Sequence, residues 1–161
     1  MSGQRLLERF RAKWIPVRVK KTRQIKNPEP RSDLVGTVKA LVVWYNTRCP
    51  VCDAGIDWQR NKLVAAVRAG YISFKDINEQ PDALASYGAS LDDVRRRLHA
   101  TDEIGRLIVG ADVAIATWRI TPGEGWLASL FGNRLILPVT RFAYDRFADV
   151  LFAWNRRKGH W

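Results

Sequence analysis

The chain has 161 residues, 47% of them apolar and seven of them Trp. That is enough for one domain with a real core, and it excludes disorder over most of the length. The formal charge of +11, from 27 basic and 16 acidic residues, bears on partners rather than on fold and leaves anionic lipid, nucleic acid and acidic proteins open. The charge is uneven: residues 1–36 hold ten Lys/Arg against three acids, so +7 of the +11 lies in under a quarter of the chain.

In chain order, "RLLERFRAKWIPV" (5–17) places Leu6, Phe10 and Trp14 at i, i+4 and i+8 with basic residues between them. This predicts a short amphipathic helix. "VRVKKTRQIKNPEPRS" (17–32) has two prolines and no sustained period, so it reads as a linker or arm. The expected layout is a basic extension over 1–33 and a globular domain over 34–161. The basic stretch 5–26 suits an anionic membrane surface. Nucleic acid is the weaker partner, because no recognised binding motif accompanies the charge. There is no apolar h-region at the start and no run of about 18–20 apolar residues, so the expected compartment is the cytoplasm, with peripheral membrane contact as an option.

"VGTVKALVVWYN" (35–46) is β-branched, aromatic and continuously apolar at its end, which predicts a buried central strand. "TRCPVC" follows, then "DAGIDWQRNKLVAAVRAG" (53–70), a predicted helix with Ile56, Leu63, Val64 and Val67 on one face and Gly70 as its stop. "YISFKDIN" (71–78) is a second predicted strand. Strand, CxxC, helix and strand make a βαβ unit, so the two strands should run parallel. Beyond it the pattern predicts a short helix at Pro81–Tyr87 and another at 90–98 with Ser90 as N-cap. A hairpin of Leu98–Thr101 and Arg106–Val109 comes next, then a helix at 110–120 and a Gly-bounded apolar segment at 123–132. The last element, 137–157, has Val139, Ala143, Phe147, Val150 and Trp154 on one stripe. The class is α/β, with a mixed sheet and flanking helices.

Both cysteines of the chain are in the CxxC, Cys49 and Cys52. Three roles are open: a redox pair, half of a metal site, or two small packed residues. The unpaired N–H groups at a helix start stabilise a thiolate and lower its pKa from about 8.5 toward about 3.5–7.5. Cys49, just before the first turn, is the expected thiolate. Cys52, one turn deeper, is expected to be the more shielded. Pro50 suits a first helical position, and Arg48 adds a positive neighbour. In the redox reading Cys49 attacks a partner disulfide and Cys52 resolves the mixed disulfide. A zinc site needs two more ligands, and besides carboxylates the chain offers only His99 and His160. Asp53 and Asp57, at i and i+4, suit the helix dipole and are candidates for proton transfer. Tyr45 is a candidate wall of a substrate groove, and His99 reads as a structural, hydrogen-bonded histidine. The redox reading calls for no cofactor, no metal, and a partner that is a thiol or disulfide protein or a small thiol. The competing class is a binding module using the basic arm and an exposed groove, with inert cysteines.

"VVWYNTRCPVC" resembles the signature of the DCC family of thiol–disulfide oxidoreductases, whose members typically read Tyr-Asp-Gly-x-Cys-Pro-x-Cys after a first strand. The resemblance continues through "ISFKDINEQ", "RLHATDEIGRLIVGADVA" and "FAYDRFADVLFAWNRR", and covers about residues 39–157. It implies a thioredoxin-like fold and disulfide exchange. The family's Asp falls on Asn46 and its Gly on Thr47. Asn46 can hydrogen-bond the loop but cannot act as a base, so a proton route would use water, Asp53 or Asp57. Thioredoxin-like folds also place a cis-proline beside the cysteines. None of Pro81, Pro122 and Pro138 sits directly before the 98–101 strand, which implies a divergent substrate groove. The CPxC also resembles that of glutaredoxins, although no glutathione-binding signature accompanies it.

Overall fold

The computed structural model describes residues 40–161. The predicted helix at 5–17, the linker at 17–32 and the first residues of the predicted 35–46 strand lie outside the described residues.

Strand β1 (Leu41–Tyr45) runs parallel to β2 (Ile72–Asp76) and antiparallel to β3 (His99–Thr101), which pairs antiparallel with β4 (Leu107–Val109). The order β2-β1-β3-β4 puts β1 at the centre of a mixed, thioredoxin-like sheet. Side chains alternate across a strand, and here each set has its own core. Val43, Tyr45, Ile72 and Ala100 pack with Ile56, Leu63 and Val113 on one face. Trp44 packs with Ile77, Leu84, Ala89 and Val94 on the other. Apolar residues on both faces are why β1 reads as a continuous apolar run.

The parallel β1–β2 pair needs a crossover, supplied by α1 (Pro50–Lys62) and α2 (Val64–Arg68). The single helix expected over 53–70 is therefore two. The break is at Leu63, whose N–H is shared between the carbonyls of Gln59 and Arg60. Turning there buries Leu63 completely, a gain of about 1.5–3 kcal/mol. It also swings Val64 and Val67 outward, so both are exposed rather than on the buried face with Ile56. Gly70 ends the segment at φ 76°, the left-handed stop that glycine accepts without strain.

After β2, the predicted Pro81–Tyr87 helix forms as turns and one 3₁₀ turn, Ala85–Tyr87. Helix α3 (Leu91–Arg96) opens on a capping box: Ser90 Oγ accepts from Asp93 N–H, and the Asp93 carboxylate accepts from Ser90 N–H. The hairpin β3–β4 leads into α4 (Ala111–Ile120), and the Gly-bounded segment forms α5 (Gly125–Phe131).

Helix α6 (Leu137–Lys158) is the longest. Its predicted apolar stripe faces away from the sheet, with Val139, Phe147, Val150 and Trp154 all exposed. Tyr144, Ala148, Leu151 and Asn155 face inward instead. Polar links hold this docking. Leu98 N–H donates to Tyr144 Oη at 3.0 Å. Arg97 reaches Asp145 at 2.7 Å and Asp149 at 3.2 Å. Among the described residues no helix is long and apolar enough to cross a membrane.

Candidate active site

The loop between β1 and α1 is shaped by side chains from the next strand. Asn46 Oδ1 accepts from Arg48 N–H at 3.1 Å and from Asn78 Nδ2 at 2.8 Å. Thr47 Oγ1 donates to Asp76 Oδ2 at 2.6 Å, and Asn78 donates to Asp76 Oδ1 from both backbone and side chain. Burial pushes the Asp76 carboxyl up, but the donors from Thr47 and Asn78 together outweigh it, so Asp76 stays below the ordinary carboxylate value. Arg95 Nη2 completes the network at Asn78 Oδ1. Asn46 is buried, and its Nδ2 has no partner among the described residues.

Cys49 is the N-cap of α1, with extended backbone angles of φ −91° and ψ 107°, and Pro50 follows as the first helical residue. A cap side chain normally satisfies an unpaired first-turn amide with oxygen. Here sulfur does so: Cys49 Sγ accepts from Cys52 N–H at 3.2 Å. The two cysteines form a disulfide with a Cα–Cα distance of 5.2 Å, within the usual range. A second donor comes from α6, where Asn155 Nδ2 lies 3.3 Å from Cys49 Sγ.

The exposures reverse the expected order. Cys49 is fully buried at 0%, whereas Cys52 is partly exposed. The reason lies in α6, whose inward face closes over the first sulfur but leaves the second at the edge of a groove. That groove has a volume of about 310 Å³ and runs between α1, α4 and α6. Val51, Trp58, Trp118, Phe147 and Leu151 line it beside Cys52, and Asn46 borders its inner end.

The other residues singled out from the sequence are spread around this centre. Tyr45 is buried in the core and its hydroxyl accepts from Arg60 at 2.9 Å, so it is not a groove wall. Trp58 and Val51 occupy that place. Asp57 pairs with Arg60 at 3.1 Å on the exposed side of α1. Asp53 sits in the first helical turn, and its carboxylate makes no hydrogen bond to either sulfur. Arg48 is exposed, with its backbone N–H held by Asn46. His99 is buried on β3 and its Nδ1 lies 3.0 Å from the Arg97 carbonyl. Burial holds its pKa below 6.5. Among the described residues no cluster of three or more His, Cys, Asp or Glu is arranged to hold a metal ion, and every peptide bond is trans. Arg97 and Leu98, tied to α6, stand where a proline would precede β3.

Asn155 and His160 join the cysteines through tertiary contacts that no local motif announces. The available signal was the inward spacing Tyr144, Ala148, Leu151, Asn155, which places a polar amide in line with core residues. An Asn in a helix interior is intrinsically unfavourable, so burying one calls for a specific set of partners.

No curated protein and no solved structure gives a match to this chain. Residues 43–157 match the family described as DCC1-like thiol-disulfide oxidoreductase. That span runs from the central strand through both cysteines to the inward face of α6, and with the thioredoxin-like sheet and the CxxC at a helix start it shows that the chain belongs to the DCC1-like thiol-disulfide oxidoreductase family.

Proposed function

We propose that this oxidoreductase exchanges its Cys49–Cys52 disulfide with the dithiol of a protein partner, that the partner enters at Cys52, and that Cys49 leaves as the thiolate. One observation carries this reading: Cys49 Sγ is buried and receives two N–H donors, while Cys52 borders an open groove. A partner thiolate attacks Cys52 Sγ, the Cys49–Cys52 bond breaks, and its electron pair stays on Cys49. A second partner thiolate then attacks the partner sulfur of the mixed disulfide and releases Cys52. The partner loses two electrons and two protons, and the protein gains a dithiol. Run backwards, Cys52 attacks and Cys49 resolves, the opposite order to that expected from the sequence.

The groove favours a partner cysteine flanked by apolar side chains. Three arginines border it, and each is held by the protein: Arg95 by Asn78, Arg96 by Asp149 and Arg97 by Asp145 and Asp149. The domain that does this work begins near residue 34 in our reading. The basic segment 5–26 would bring it to an anionic membrane surface, a contact that salt would weaken. Sedimentation with anionic vesicles, with and without residues 1–33, tests that part.

Single-cysteine variants test the exchange. Cys49→Ser should accumulate a mixed disulfide through Cys52, and Cys52→Ser should not. Trapping only by Cys52→Ser would restore the order with Cys49 first. A wild-type protein that turns over no dithiol substrate would end the reading.

A further inference from the structure

We propose that Asn155 and His160 are positioning residues for Cys49: His160 holds the Asn155 amide so that its N–H points at the sulfur and stabilises the departing thiolate. The inference rests on the exchange reading above and concerns how its leaving group is held. Asn155 is 1% exposed, and both ends of its side-chain amide are hydrogen-bonded. Nδ2 donates to the Leu151 carbonyl at 2.9 Å and to Cys49 Sγ at 3.3 Å. Oδ1 lies 2.7 Å from His160 Nδ1. The Leu151 carbonyl can only accept, which fixes the nitrogen of the amide on that side and the oxygen on the other. His160 must therefore carry its proton on Nδ1 and donate it.

The local chain is built to deliver that imidazole. Gly159 adopts φ 69°, a left-handed turn that ends α6 and reverses direction. His160 N–H then donates to the Asn155 carbonyl at 3.2 Å, so His160 grips Asn155 through both backbone and side chain. Its ring meets Trp154 edge-on at 5.4 Å. Trp161 packs on Phe152 at 5.7 Å and lies under the Arg95 guanidinium.

The electrostatic consequence has a definite sign. In the disulfide the Cys49 sulfur is neutral and gains little from the amide N–H. Once the bond opens, the sulfur is an anion without water around it, and a donor aimed at it becomes a charge-assisted hydrogen bond. The couple thus favours the reduced protein over the oxidised one, and it favours Cys49 over Cys52 as the ionised sulfur. His160, donating to the amide oxygen, polarises the same amide and keeps it from rotating away.

Two readouts test this. One is the equilibrium constant of the wild-type pair against a reference dithiol. The other is the ionisation of Cys49 in a Cys52→Ser background, followed by thiolate ultraviolet absorbance. Asn155→Leu should shift the equilibrium about tenfold toward the disulfide and raise the Cys49 ionisation midpoint by about one pH unit. His160→Phe should move both in the same direction by less. His160→Asn, which can still donate near the Nδ1 position, should restore most of the effect. Asn155→Asp, nearly the same shape, keeps the test open if the leucine variant does not fold, and should also raise the midpoint. Unchanged equilibrium and midpoint in folded Asn155 and His160 variants would overturn the proposal while leaving exchange itself standing. If the wild type fails to exchange, the Cys49 midpoint still decides the positioning claim.

Discussion

The Asn155 amide lies 3.3 Å from Cys49 Sγ, although 106 positions separate the two residues. A site begun by β1 and α1 is thus completed by α6, and α6 reaches it because its inward face is held against α3, α4 and the two residues before β3. Docking of that helix and the chemistry of the first sulfur are consequently one problem, and anything that loosens α6 should alter both.

Tyr144→Phe tests the docking. The hydroxyl is the acceptor for Leu98 N–H at the start of β3, and the ring lies against Gly110, where an added Cβ would come within 3.3 Å of it. Removing the hydroxyl leaves a partly buried backbone donor unsatisfied. Unfolding free energy in urea should fall by about 1–3 kcal/mol with far-ultraviolet circular dichroism unchanged. An unaltered midpoint would mean that this bond does not hold α6.

Gly55→Leu separates groove contact from redox competence. Gly55 lies on α1 beside the groove, and a Cβ there would meet nothing within 4 Å. Leucine is also the better helix former, by roughly 0.5–1 kcal/mol. The variant should be at least as stable as wild type and react normally with a small dithiol. With a protein partner its exchange should slow by roughly tenfold, the loss expected when one apolar side chain is shut out of its pocket. Equal slowing with both reagents would place the defect in the sulfurs rather than in the groove.

Asn46→Asp restores an ionisable group at the loop position where the resemblance expects one. One side-chain oxygen would keep the donors from Arg48 and Asn78. The other would replace the buried, unpartnered Nδ2. The exchange rate should then acquire an acidic limb that wild type lacks, seen in rate measurements across pH 4–8. A profile identical to wild type would show that this side chain takes no part in proton movement.

His99 should give stability its own pH window. Burial disfavours the charged imidazole, and the bond to the Arg97 carbonyl offsets this only in part, so its folded pKa lies below 6.5. The unfolded chain then binds more protons than the folded one between those two values. Stability is complete above pH 6.5, declines as pH falls through 6.5, and stops declining on this account below the depressed folded value. Asp76, Asp93 and Asp102, all held below 3.8, contribute their losses only in more acidic solution. Urea midpoints at pH 7.5 and 5 should differ in wild type and converge in His99→Gln. The same difference in both proteins would assign the window to another group.

Local rules made much of the scaffold legible. The apolar run ending at Tyr45 is central because both of its faces are buried. The acid three residues after Ser90 closes a capping box, and the hairpin over 98–109 follows from its turn residues. The CxxC at the start of a helix is visible from the order of strand, cysteines and amphipathic segment. The break at Leu63 is different, since a helical period continues smoothly through it. Only the depth of the core below that residue makes turning worthwhile.

What the sequence determined by itself was periodic or adjacent: which residues alternate, which cap, and where two sulfurs meet an unpaired helix start. The rotation of α6 is neither. Its apolar stripe is the stronger pattern, yet Leu98 and Cys49 supply partners for Tyr144 and Asn155 on the opposite face. Those partners come from distant parts of the chain, and a buried polar group must be satisfied where an exposed apolar one need not be. Tertiary structure therefore turned α6 by its polar residues, and with that turn it chose which sulfur is covered and which faces the groove.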